Sequence, residues 1–262
     1  MSGNYETIRL DTDARGVATL TLARPDKHNA LSAQMIAELT EAAAQLAADS
    51  AVRVVILTGK GASFCAGGDL DWMREQFTAD RATRMAEARK LALMLKALNE
   101  LPKPLIGRVQ GQAFGGGIGM MSVCDVAIAV EGAKFGLTET RLGLIPATIS
   151  PYVLARMGEG KARRVFMSAR LFDAQEAVAL DLAGRAVAPE DLDTAIEREV
   201  KPYLSAAPGA VARAKRLARS LGTPITGAVI EDTIRQLADC WEDPEAHEGI
   251  SAFFEKRKPA WA

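Results

Sequence analysis

The sequence predicts an α/β fold in which crossovers build a parallel sheet and a helical tail follows it. Two patterns carry that prediction. Short β-branched runs alternate with stretches of helical periodicity up to about Ser150, and beyond that point the signals turn almost wholly helical. An apolar content of 48% over 262 residues supplies ample material for a large core.

The elements follow in order. Ile8–Arg9–Leu10 and residues 17–22 read as the strands of a hairpin, because β-branched residues alternate and Asp13–Ala14–Arg15–Gly16 punctuates them. After Pro25, Ser32 is placed to cap a helix whose apolar positions Met35, Ile36, Leu39, Ala43 and Leu46 recur at helical spacing. Residues 52–57 form a nearly continuous apolar strand ending at Gly59. A second cycle runs through an amphipathic helix within 81–98, the breaker Leu101–Pro102–Lys103–Pro104 and a strand near 105–109. A third begins at Gly111, passes through a helix in 115–123 and reaches a strand at 125–129. The tail reads as helices over 173–180, 192–204, 208–221, 225–240 and 244–255.

Composition excludes several classes of function. Thirty-two Lys and Arg against 33 Asp and Glu leave a net charge of −1, so no global field draws nucleic acid or an acidic membrane. Cys65, Cys124 and Cys240 are odd in number, far apart and without Cys-x-x-Cys spacing, which argues against a disulfide framework and a zinc site. His28 and His247 are too few for a histidine-rich metal centre. The first ten residues are polar, with no apolar signal core, and no stretch of about 18 apolar residues occurs. The expected setting is the reducing cytosol, with no metal, membrane or nucleic-acid partner.

Two loops that follow strands carry clustered glycines: Gly59 to Leu70, containing Ala66–Gly67–Gly68–Asp69, and Gly111 to Gly119, containing Gly115–Gly116–Gly117. Glycine permits positive φ and lets a ligand atom approach backbone N–H groups closely. Dinucleotide binding is excluded, because G-x-G-x-x-G started at Gly115 or Gly117 requires glycine where Met120 and Ser122 stand, and no P-loop pattern is present. The bland alternative is that the glycines allow tight turns and close helix packing. The functional one is that two convergent N–H groups stabilise an oxyanion, such as the oxygen of an acyl thioester whose α-carbon becomes enolate-like.

Several segments, in this order and spacing, resemble the crotonase (enoyl-CoA hydratase/isomerase) superfamily over essentially the whole chain. They are Arg24–Pro25–Asp26–Lys27–His28–Asn29–Ala30–Leu31, Phe64–Cys65–Ala66–Gly67–Gly68–Asp69–Leu70, Gly111 to Gly117 followed by Cys124–Asp125, Phe135–Gly136–Leu137–Thr138–Glu139, Leu142–Gly143–Leu144–Ile145–Pro146 and Phe254–Glu255–Lys256–Arg257–Lys258. The resemblance implies a crotonase-like spiral of ββα units over residues 1–200 and a helical region over 201–262 that forms trimers and often dimers of trimers. It implies a coenzyme A thioester as substrate and no cofactor beyond that CoA moiety. Gly68 and Gly116 would donate their N–H groups to the thioester oxygen. Backbone around Ala66, Gly67, Asp69 and Leu70, with the turn carrying Lys27, Asn29, Ala30 and Leu31, would hold the adenine and pantetheine of CoA, and Phe253 and Lys256 would complete the site from a neighbouring subunit.

Hydratases of this family use two glutamates on one face of the alkene, at positions that correspond here to Glu139 and Gly119. The first carboxylate is therefore missing, and Gly119 is read as part of the substrate site instead. A surface glutamate is the commonest fate of this residue type, but the apolar run before Glu139 and the family register favour a catalytic acid/base. One glutamate suffices for an isomerase that moves a proton between Cα and Cγ. Alternatively, a hydratase holds its water through Glu139, a backbone carbonyl or a carboxylate of the substrate. Residues 67–73, 114–119 and 145–152 resemble bacterial methylglutaconyl-CoA hydratases, which tolerate glycine at this position and act on branched, carboxylated enoyl-CoA esters of leucine or terpene breakdown. A non-catalytic acyl-CoA-binding protein is the rival of a different class.

Other residues have blander readings. Arg213, Lys215, Arg216 and Arg219 give a basic helix face, expected to be solvated or in a subunit contact. Met85, Leu91, Met94, Leu95 and Leu98 read as a core stripe before an acyl tunnel. Cys65 reads as packing, since no histidine is assignable beside it.

Overall fold

The computed structural model describes residues 5–262. It opens with β1 (Ile8–Thr12) and β2 (Val17–Leu22), paired antiparallel as expected. Helix α1 (Ala33–Ala48) starts at Ser32, whose hydroxyl accepts the Met35 N–H at 3.2 Å. Three turns of a spiral follow. The first comprises β3 (Val54–Gly59), β4 (Ser63–Cys65), α2 (Leu70–Thr78) and α3 (Arg81–Asn99). The second comprises β5 (Leu105–Val109), β6 (Gln112–Phe114) and α4 (Gly116–Ser122), and the third β7 (Val126–Val130), β8 (Lys134–Gly136) and α5 (Ser150–Phe166).

Each turn gives one strand to each of two sheets. The larger sheet has the order β1-β2-β3-β5-β7 with β10 (Arg185–Val187) beyond, and is parallel except at the β1–β2 hairpin. The smaller has the order β4-β6-β8 with an antiparallel edge, β9 (Leu171–Asp173). Strands β3, β5 and β7 are almost continuously buried because helices cover the larger sheet, which explains their unbroken apolar character. The ββα spiral is thus present. Strands β9 and β10 interrupt a tail that is otherwise helical as expected; three residues each, they are too short to display a period of two. Helix α2 is also additional, and helix 173–180 is reduced to α6 (Ala174–Ala179) because Leu171–Asp173 pairs with β8.

The remaining helices are α7 (Leu192–Ser205), α8 (Pro208–Leu221), α9 (Gly227–Glu242) and α10 (Pro244–Glu255). One core cluster runs from Ile8 to Val200. Helices α9 and α10 turn back onto it: Ile230 and Ile234 pack on Ala88 and Ala92 of α3, and Trp241, Ala246 and Ile250 pack on Leu144. Gly249 of α10 lies so close to the chain at Leu142 that an added Cβ would meet its carbonyl carbon at 2.6 Å. The last helix therefore braces the 3-10 turn Glu139–Leu142. Among the described residues no helix is long and apolar enough to cross a membrane, and no cluster of metal-binding side chains occurs.

Candidate active site

Three parallel strands of the small sheet deliver the site. β4 ends at Cys65 before Ala66–Gly67–Gly68, β6 at Phe114 before Gly115–Gly116, and β8 at Gly136 before Leu137–Thr138–Glu139. Parallel neighbours lie about 4.8 Å apart, so segments some fifty and twenty-five residues apart in sequence emerge side by side at the strands' carboxyl ends, where open α/β sheets place ligands. They line a cleft of about 470 Å³ together with Leu31, Leu70, Trp72, Leu91, Arg141, Thr148, Ile149 and Trp241.

The two glycine turns touch. Gly67 has φ +93°, and a Cβ there would lie 2.9 Å from the Phe114 carbonyl oxygen and 3.7 Å from the Gly116 nitrogen. Any side chain would strain the backbone and wedge the turns apart. Gly116 opens α4, so its N–H has no intrahelical acceptor. Neither it nor the Gly68 N–H donates to a turn or loop carbonyl among the described residues. Two backbone donors without a turn or loop acceptor thus belong to residues that line one cleft, as stabilising a developing oxyanion requires.

The loop at 28–31 is zipped to the 66–69 turn: Ala66 N–H donates to the His28 carbonyl at 3.0 Å, Leu31 N–H to Gly67 at 2.7 Å, and Asp69 N–H to Leu31 at 3.1 Å. This juxtaposition joins the two segments expected to hold one ligand. Leu31, Ala66, Gly67, Gly68, Leu70 and Gly116 line the cleft. Asn29 does not. Its fully buried amide donates to the Lys60 and Ser63 carbonyls and accepts the Arg24 N–H, so the side chain is a brace rather than a substrate contact.

The Asp69 side chain is likewise spent internally: its buried carboxylate pairs with Arg24 at 2.8 Å and caps α2 through the Asp71 and Trp72 N–H groups. Burial pushes that carboxyl up, but Arg24 and the two N–H groups outweigh it and hold it below the ordinary value. Ala30 is buried, and Lys27 is exposed beside Asp71 at 3.4 Å; neither lines the cleft. Phe253 lines the cleft within its own chain, and Lys256 ends α10 outside it.

Gly119 is the largest correction. It is buried in α4 beneath the cleft wall and does not line the cleft, and a Cβ there would meet Ile149 Cγ2 at 2.6 Å. The Ile149 side chain fills the space over position 119, leaving none for a longer residue. The expected stripe on α3 divides: Met94, Leu95 and Leu98 lie in the core, while Leu91 with Ala88 lines the cleft. Burial pushes the Cys65 thiol up to about 12, in keeping with packing. The basic face of α8 is partly spent internally, Lys215 on Asp125 at 2.7 Å and Arg219 on Glu100 at 2.8 Å.

Glu139 opens the 3-10 turn, and its Oε1 lies 2.9 Å from where a Cβ of Gly115 would stand, beside the Gly116 donor. Its Oε2 is buried without a hydrogen-bond partner. Burial, only weakly opposed by the residue's own backbone N–H, pushes the carboxyl up to about 7. A group poised there gives and takes protons near neutrality. An acid/base that first takes a proton from water works from its deprotonated form, so with Glu139 in that role kcat/KM is expected to rise with pH through about 7 and then level. A pH–rate profile flat from pH 6 to 8.5 would contradict this.

Five buried side-chain polar atoms have no partner among the described residues, and three belong to cleft residues: Trp72 Nε1, Glu139 Oε2 and Thr148 Oγ1. Buried polar groups are nearly always paired, so the concentration marks where a ligand's polar atoms belong. Trp72 and Thr148 lie in the segments 67–73 and 145–152 that resemble hydratases, but nothing in those segments singled them out. Arg141 had no sequence signal; the turn that carries Glu139 brings it to the cleft.

Comparison with known proteins agrees with this geometry. The enoyl-CoA hydratase/isomerase family model matches residues 12–262. The chain is 33% identical to a crotonyl-CoA hydratase of Syntrophomonas wolfei, over 97% of each chain. Its fold is similar to the crystal structure of an enoyl-CoA hydratase from Shewanella pealeana, with a TM-score of 0.81, 39% identity and coverage of 98% of this chain and 97% of that one. It is also similar to Pseudomonas aeruginosa AtuE, with a TM-score of 0.80, 37% identity and coverage of 98% and 100%.

Proposed function

Because the chain belongs to the enoyl-CoA hydratase/isomerase family and is an enzyme of that family, we propose that it hydrates the Cα–Cβ double bond of an enoyl-CoA thioester, or removes water in reverse. The observation that carries this reading is the unpartnered carboxylate of Glu139 beside two unengaged backbone donors in one cleft. The Gly68 and Gly116 N–H groups receive the thioester oxygen. Water adds its oxygen to Cβ, the π electrons move toward that carbonyl, and a water proton passes through Glu139 to Cα. The chemistry closes with no group beyond the substrate's CoA. Leu31, Ala66, Gly67 and Leu70 hold the thioester arm, with Phe253 of the same chain at the cleft.

We extend the reading to branched, carboxylated acyl chains of the methylglutaconyl type. Arg141 lines the cleft, is exposed and has no ion-pair partner among the described residues, so a cation is available to an acyl carboxylate in an otherwise apolar wall. A charge-assisted hydrogen bond at a solvent-accessible site supports about tenfold discrimination. Arg141→Met is expected to lower kcat/KM for methylglutaconyl-CoA about tenfold while leaving crotonyl-CoA unchanged; equal losses on both esters would remove the assignment. For a homotrimer or dimer of trimers, α8 offers a surface, since none of its residues is buried and Leu217 and Leu221 are exposed.

Gly119 favours a second reading, an isomerase shifting a 3-enoyl to a 2-enoyl ester through Glu139 alone. Mixing the enzyme with crotonyl-CoA, methylglutaconyl-CoA and a 3-enoyl-CoA, and following absorbance of the conjugated alkene, separates them. Loss of absorbance from the first two supports hydration, and a gain from the third supports isomerisation. Binding without change would leave only an acyl-CoA-binding module.

A further inference from the structure

We propose that the Thr148 hydroxyl holds the reacting water at Cβ, supplying from the Thr148–Ile149 wall of the cleft the second polar contact that a carboxylate at position 119 does not supply. The proposal rests on the hydratase reading above. Ile149 covers Gly119, so on that side the cleft is walled by Ile149 and its neighbour Thr148, both of which line it. The Thr148 side chain is 5% exposed, and its Oγ1 has no partner.

Ser150, two residues on, satisfies its hydroxyl by donating to the Pro146 carbonyl at 2.6 Å. Thr148 makes no such bond. A valine there would have the same shape without the cost of an unpaired buried hydroxyl. Among the three cleft atoms without partners, Trp72 Nε1 can only donate and Glu139 Oε2 belongs to the proton carrier. Thr148 Oγ1 is the remaining acceptor.

The geometry this requires is simple. Water donates one hydrogen to Glu139 and the other to Thr148 Oγ1, which turns an oxygen lone pair toward Cβ. The carbon–oxygen bond forms as the water O–H bond facing Glu139 breaks, that proton passes through Glu139 to Cα, and the product's β-hydroxyl keeps its hydrogen bond to Thr148. Nothing beyond water is consumed.

The test compares Thr148→Val and Thr148→Ser. Thr148→Val is expected to lower kcat for crotonyl-CoA hydration roughly ten- to hundredfold, with KM within about twofold and Tm unchanged or raised. Thr148→Ser restores most of the rate. Conversion of a 3-enoyl-CoA to the conjugated ester, which uses Glu139 but no water, is spared. Unchanged hydration in Thr148→Val, a loss that serine does not restore, or equal loss of both reactions would overturn the assignment to Thr148 and leave the hydratase reading intact. A wild-type enzyme that hydrates no 2-enoyl ester would overturn both.

Discussion

Replacing Glu139 by Gln is expected to lower kcat by about 10²–10⁴, the range for loss of a positioned general acid/base, while affinity for the CoA ester changes little. Glutamine keeps the volume and leaves the thioester contacts in place, so the loss falls on the chemical step. The same variant has a stability signature. The folded-state carboxyl sits at about 7 against an ordinary 4.5, so between those values the folded protein holds a proton that the unfolded chain has released. Stability contributed by this group is present below 4.5 and lost as pH rises through 7. Two and a half pH units correspond to an upper limit of about 3 kcal/mol, and partial solvent access trims it. Glu139→Gln is therefore expected to melt above wild type at pH 8, with the gap closing toward pH 5. Near-normal turnover, or a Tm gain independent of pH, would contradict the role given to this carboxylate.

Restoring a carboxylate at position 119 is expected to destabilise the protein rather than improve it. In Gly119→Glu the first added atom falls 2.6 Å from Ile149 Cγ2 and 3.6 Å from Leu95 Cδ1, inside a helix whose neighbours Ile118, Met120 and Met121 are fully buried. Overpacking costs about 1–3 kcal/mol, and a buried carboxylate without a partner adds to it. The sum, about 3–5 kcal/mol, is a large share of the stability of a typical domain. Denaturant midpoints measure it. Ile149→Ala removes the colliding methyl groups, so the Gly119→Glu/Ile149→Ala double variant is expected to be more stable than Gly119→Glu alone. Wild-type stability in Gly119→Glu would show that the helix and Ile149 yield, and that the missing carboxylate is not excluded by packing.

Local chemistry was legible wherever a residue acts through its own backbone or its near neighbours. The hairpin, the Ser32 cap, the glycine turns and the bounds of α8 and α10 follow from turn chemistry, capping and helical period. The three-residue strands β4, β6 and β8 were not legible, because alternation needs more residues to show. Those strands are what align Gly68, Gly116 and Glu139.

The sequence alone determined the α/β class and the family resemblance, and through that resemblance it named Gly68 and Gly116 as candidate donors and Glu139 as the candidate carboxylate. Tertiary structure settled which candidates reach the cleft. Asn29 and Asp69 turn inward because their hydrogen-bond partners lie at Arg24, Lys60, Ser63 and the start of α2. Gly119 lies under Ile149, thirty residues away in sequence, and Phe253 reaches the cleft because α9 and α10 find apolar partners on α3 and at Leu144. Those outcomes depend on packing between distant segments, a quantity that neither period nor spacing records.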